Sequence, residues 1–170
     1  MNIPTLRIMG VDPGYDRLGV CIIEKTQGKE TLLFSECIQT NKKDSESVRL
    51  HQAGNLFREL LRRYTPQEVA IEKLFFVSNV TTGIAVANLC GIVKFLTEEK
   101  GIPIYEYSPT QVKLAIASHG RGSKEEVHAM VTRLIDLPAK KRVDDEIDAI
   151  AVALTHSAHQ NTMRSHYPQK

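Results

Sequence analysis

Four carboxylates stand where acidic side chains are awkward to keep. Asp12 closes the short apolar run Ile8-Met9-Gly10-Val11, and Pro13-Gly14 follows it. Glu72 closes a second such run, Val69-Ala70-Ile71. Asp145 and Asp148 lie three apart, ahead of Ala149-Ile150-Ala151, and so share one face of a helix. Burying a lone charge costs on the order of several kcal/mol, so a partner is expected for each. Carboxylates brought together also repel, and their pKa values rise unless a cation neutralises them. Oxygen donors without histidine or cysteine suit Mg²⁺ or Mn²⁺ and not Zn²⁺. Two such ions can activate a water and stabilise the leaving oxygen in phosphoryl transfer.

Each acid also has a plainer role open to it. Asp12 can cap its own turn through backbone N–H groups, and Glu72 can pair with a lysine. Asp144, Asp145 and Glu146 can complement a helix dipole. Asp148 is harder to explain that way, because it lies inside the helix between Ile147 and Ala149. The decision rests on whether the fold makes the four converge.

The elements that would position them can be read from apolar periodicity and turn chemistry. Residues 6–11 form a short buried strand, Asp12-Pro13-Gly14 turns the chain, and residues 18–24 return as a second strand. A third strand, 31–38, follows Gln27-Gly28-Lys29, which makes an antiparallel meander. Leu50, Ala53, Gly54, Phe57, Leu60 and Leu61 recur at helical spacing, and Pro66 ends that helix near Tyr64. Residues 69–71 form a fourth strand. The helix over 80–100 has an apolar surface too wide for one core contact, so it is either deeply buried or a self-association face.

A fifth strand covers 102–107. Ser108-Pro109-Thr110-Gln111 and Ser123 with Glu126 then open two helices by capping-box chemistry, separated by His119-Gly120-Arg121-Gly122. A last, mostly buried helix follows the basic loop Lys140-Lys141-Arg142. The order is β-β-β-α-β-α-β-α-α-α, a mixed α/β sheet with helices on its faces. Chemistry in open α/β sheets collects beyond the carboxyl ends of strands. With the fourth strand beside the first, Asp12 and Glu72 sit side by side at that edge, and the last helix can bring Asp145 and Asp148 to it.

At 170 residues the chain is expected to be one domain over 1–159, with a polar, disordered tail over 160–170. The net charge of +2 means that any nucleic-acid affinity must come from a local basic patch. Cys21, Cys37 and Cys90 are odd in number and lie in apolar runs. They read as core thiols of a reducing cytoplasm, not as a disulfide or metal framework. No stretch reads as a membrane span or a secretory signal.

Four motifs in this order carry a resemblance: Gly10-Val11-Asp12-Pro13-Gly14, Ala70-Ile71-Glu72-Lys73-Leu74-Phe75, Gln111-Val112-Lys113, and Asp145-Glu146-Ile147-Asp148-Ala149-Ile150-Ala151 running to Thr155-His156. The chain resembles the RuvC family of Holliday-junction resolvases, from about Leu6 to His159. That resemblance implies a ribonuclease H-like fold: a five-stranded mixed sheet, three antiparallel strands then parallel additions, with helices on both faces. It implies a Mg²⁺-dependent endonuclease that resolves Holliday junctions by paired symmetric nicks in recombination and repair. Asp12, Glu72, Asp145 and Asp148 would be both catalytic and metal-binding, with two ions per site and Mn²⁺ able to substitute. Alignment back from Ala149 selects Asp145 over its neighbour Asp144.

The resemblance also assigns DNA contacts to Lys113, Lys124 and Phe75, the last as a wedge that stacks on bases near the crossover. Arg121 is a further basic candidate. A homodimer and the branch-migration proteins RuvA and RuvB as partners are implied as well, and the reduced cysteines set the expected location as cytoplasmic. The alternatives are a YqgF-like RNA-processing nuclease of the same fold, a non-catalytic junction-binding module, and the actin-like sugar or acetate kinases, which need two such domains.

Overall fold

The computed structural model describes residues 5–14, 16–74, 80–117 and 122–166, with side chains to residue 160. The elements follow the order expected from the sequence. They are β1 (Thr5–Pro13), β2 (Arg17–Thr26), β3 (Lys29–Gln39), α1 (Glu46–Tyr64), β4 (Glu68–Glu72), α2 (Val80–Glu99), β5 (Ile104–Tyr107), α3 (Pro109–Ala117), α4 (Lys124–Leu134) and α5 (Asp144–His166). One five-stranded sheet runs β3-β2-β1-β4-β5. The first three strands pair antiparallel, and β4 and β5 add in parallel.

Local chemistry accounts for most boundaries. The β2–β3 hairpin closes through Gln27 and Gly28, both at positive φ (52° and 81°), a two-residue turn that matches the twist of the strands. Helix α1 ends at Thr65, whose left-handed conformation lets its N–H donate to Leu61 O (3.0 Å) one residue before Pro66. Both expected capping boxes form. Gln111 N donates to Ser108 Oγ and Glu126 N to Ser123 Oγ, each with the reciprocal bond. β5 is shorter than the run 102–107, because Pro103 has no N–H for the ladder, although its carbonyl accepts from Val69 N.

Strand parity divides the interior into two cores. Met9, Val11, Val69 and Ile71 face α1 and α2, around Phe57 and Val93. Ile8, Cys21, Ile23 and Ala70 face the other way, onto α3, α4 and α5. Helix α5 is the centre of that second core, buried without a break from Ala149 to Ser157. It lies so close to the sheet that a Cβ on Gly10 would run into Ala149 O, and one on Gly19 into Asp145 O. Three cysteines are free thiols: Cys21 and Cys90 are buried, Cys37 half-buried.

A buried polar chain ties this side together. Tyr107 Oη lies 2.7 Å from His156 Nδ1, and His156 Nε2 lies 2.6 Å from Glu68 Oε2. Gln160 donates to the same Glu68 carboxylate. The helical backbone continues to His166, into the segment expected to be a polar tail.

Helix α2 settles the width of its apolar surface by splitting it. Val86, Leu89, Cys90, Val93 and Leu96 are buried, whereas Val80, Ile84 and Phe95 are 73%, 56% and 65% exposed. Its length and hydropathy meet those of a membrane span, but its buried side packs on the sheet and α1.

Candidate active site

The site starts from register. Gly10 pairs with Ala70 and Val11 with Ile71, so Asp12 and Glu72 occupy the next step of neighbouring parallel strands. Parity then directs both carboxylates to the α5 side, because Ile8, Gly10 and Ala70 already face that way. Asp12, Glu72 and Asp148 line one cleft of about 230 Å³, with Pro109, Val112, Lys113, Lys124 and Val127 as its other walls.

Electrostatics within the cleft are unfavourable to a bare set of charges. Burial, then repulsion from Glu72, Asp148 and Asp145, pushes the Asp12 carboxyl up to about 8, with Lys124 pulling the other way. Glu72 rises to about 7, through burial first and Asp148 second, opposed by Lys124 and Lys113. Among the described residues no side-chain hydrogen bond offsets either shift. Asp16, four residues after Asp12, behaves in the opposite sense. It is held below the usual carboxylate range by a hydrogen bond from Lys42 and by Arg49.

The first turns of α5 supply the remaining acids. Asp148 is gripped on both oxygens by α4: Lys124 Nζ is 2.8 Å from Oδ2, and His128 Nε2 is 2.9 Å from Oδ1. Burial opposes the Lys124 charge, but the hydrogen bond and attraction of Asp148, with Asp144 and Asp12 behind it, hold its pKa above the ordinary lysine value. Asp145 lies against the β1–β2 turn, where Arg17 Nη1 is 3.3 Å from its Oδ2. It adds to the field at Asp12 without lining the cleft. Asp144 is more exposed and lies 3.6 Å from Lys124 Nζ.

Between these acids, Glu146 anchors the helix end. It is 5% exposed and accepts from Ser35 Oγ (2.8 Å), with Lys140 Nζ at 2.8 Å and Arg142 Nε at 4.0 Å. Two of the three charges in the basic loop are thereby committed to holding α5 on β3.

The structure brings Asp12, Glu72, Asp148, Lys113 and Lys124 to one cleft, with Asp145 behind it. Phe75 and Arg121 lie outside the described residues. The donor set is oxygen-rich and short of positive charge, which fits hard divalent cations. Among the described residues no three acidic, histidine or cysteine side chains yet surround a single point as metal ligands do. The Lys124 ammonium stands among the carboxylates instead. Sequence reasoning missed His128, Arg17 and the anchoring role of Glu146. His128 alone carried a signal, since it falls four residues after Lys124 on the same helical face.

Comparison with known proteins bears on the family and the fold. A family profile described as "Crossover junction endodeoxyribonuclease RuvC" matches residues 8–156. The protein of that name from Thermotoga maritima is 39% identical over 160 residues, 94% of this chain and 95% of the relative. That from Roseiflexus is 40% identical over 151 residues, 89% of this chain and 90% of the relative. Among solved structures, Thermus thermophilus RuvC in complex with Holliday junction substrate superposes with a TM-score of 0.86 at 33% identity, covering 93% of this chain and 96% of that one. The yeast mitochondrial Holliday junction resolvase shares the fold, with a TM-score of 0.74 at 18% identity over 97% and 82% of the two chains.

Proposed function

The chain belongs to the RuvC family of crossover junction endodeoxyribonucleases, and from that premise we propose that Asp12, Glu72, Asp145 and Asp148 form its metal-binding and catalytic centre. The activity is resolution of Holliday junctions in DNA recombination and repair, by a metal-dependent nuclease. The observation that carries the residue assignment is the Asp12–Glu72 pair, placed by register on one sheet edge and facing Asp148 across a cleft that raises both their pKa values.

Mg²⁺ is the proposed ion, two in the site, with Mn²⁺ able to substitute; when bound it would supply water activation and charge neutralisation for in-line phosphodiester hydrolysis. Asp12 holds its proton near neutral pH and must release it to act as a ligand, so loading the site liberates protons. Lys124, on the cleft wall, turns from Asp148 toward incoming phosphate. Lys113 holds the phosphate backbone from the α3 side, and these contacts weaken with salt. Arg17 keeps Asp145 directed at the β1–β2 turn. Phe75 remains the proposed base-stacking wedge and Arg121 a further phosphate contact.

Symmetric nicks in two strands require two such sites, and the exposed Val80, Ile84 and Phe95 stripe of α2 supplies a two-fold homodimer face. RuvA and RuvB as partners, and a cytoplasmic location, go with this reading.

The test is cleavage of a labelled synthetic four-way junction, with linear duplex and RNA–DNA hybrid as controls, with and without Mg²⁺, for the wild type and Asp12→Asn. Symmetric nicks confined to the junction, lost without metal and in the variant, are expected. Cutting of the hybrid instead would move the chain to RNA processing, and undiminished cutting by the variant would remove Asp12 from the centre.

A further inference from the structure

The two grips on Asp148 differ in kind. Lys124 is a long chain at the first position of α4, its side chain 50% exposed. His128 is short, its side chain 22% exposed, and it is mounted on the turn of α4 whose Val127 and Val131 are buried in the second core. A carboxylate only accepts, so the His128 Nε2–H donates to Asp148 Oδ1. Each oxygen of Asp148 therefore has its own donor, one on a short, largely buried side chain and one on a long, half-exposed side chain.

We infer that His128 is a positioning residue for the metal centre: by holding Asp148 Oδ1 it presents Oδ2 to the cation. This rests on the assignment of Asp148 as a ligand. With a divalent cation bound, Asp148 Oδ2 would be given up by the Lys124 ammonium, whereas the His128 bond to Oδ1 would remain because it lies on the opposite oxygen. The ligand carboxylate would then keep its rotamer, with Lys124 the side chain that moves. Partners of this sort, one bond removed from the metal, are worth about 10–100-fold in metal affinity when deleted.

The experiment measures Mn²⁺ and Mg²⁺ binding to the full chain by calorimetry without DNA, for wild type, H128A, H128N, H128Q and D148N. Glutamine carries an N–H donor at the reach of Nε2, whereas alanine and asparagine do not. The expected result is binding weakened about 10-fold in H128A and H128N and restored close to wild type in H128Q. Should H128A fail to fold, the H128N and H128Q pair gives the same contrast. Equal or tighter binding in H128A and H128N, or no recovery in H128Q, overturns the inference. Unchanged binding in D148N overturns instead the assignment of Asp148 as a ligand.

Discussion

Replacing Asp12 with asparagine should stabilise the metal-free protein while ending cleavage. The Asp12 carboxyl is raised from 3.8 to about 8, so the folded state holds this proton more tightly than the unfolded chain. Its ionisation therefore opposes folding. The penalty is absent below about pH 4, grows as pH rises between the two values, and is complete by about pH 8. At about 1.36 kcal/mol per unit, the ceiling at pH 7 is about 4 kcal/mol. The cleft opens to water and its acids share their protons, which takes away roughly half and leaves about 2 kcal/mol. For a chain of this size that is a gain of about 4–8 °C in melting temperature. Thermal melts in chelator at pH 8 and pH 4.5 read it directly. Asp12→Asn should melt higher than wild type at pH 8, and the gap should shrink at pH 4.5. Mg²⁺ should raise the wild type at pH 8 but not the variant. A variant no more stable than wild type at pH 8, or a gap that ignores pH, would refute the argument that these acids are held together against their own repulsion.

Two further outcomes follow from packing. Gly19→Ala places a methyl group against Asp145 O and should cost about 1–3 kcal/mol by overpacking. Melts would read that loss, and junction cleavage should fall further than stability alone explains, because Asp145 is displaced. Ile84→Glu combined with Phe95→Glu charges the exposed stripe of α2, and light scattering should then find a monomer whose folded stability is unchanged. A monomer in the wild type would remove the proposed dimer face.

What the sequence made legible follows from periods of two and of three to four. Asp12 and Glu72 could be placed because an alternating strand fixes which residues share a face, and because β1 had only one side left for β4. Asp145 and Asp148 could be paired because three residues is nearly one helical turn. The grip of Lys124 and His128 on Asp148 could not be read, since it depends on how α4 crosses α5, which no local pattern encodes. Glu146 misled for a related reason. Between two aspartates at a helix start it looks like a dipole partner, yet Ser35, Lys140 and Arg142 meet it from β3 and a loop. The hold on the end of α5 could not be read either. It is tertiary, Gln160 donating to Glu68 on β4.

The close seating of α5 on Gly10 and Gly19 joins the last helix of the chain to its first two strands. Cys21 Sγ reaches Ala149 O at 3.3 Å across 128 residues of sequence. On a ribosome, the meander emerges with Asp12 long before Asp145 and Asp148 exist. The proposed cutting centre is therefore incomplete until α5 has been made and seated on β1 and β2, and a chain without α5 holds a carboxylate edge without its other half. For a junction nuclease, that order of assembly makes the docking of α5 on the sheet a precondition of cutting.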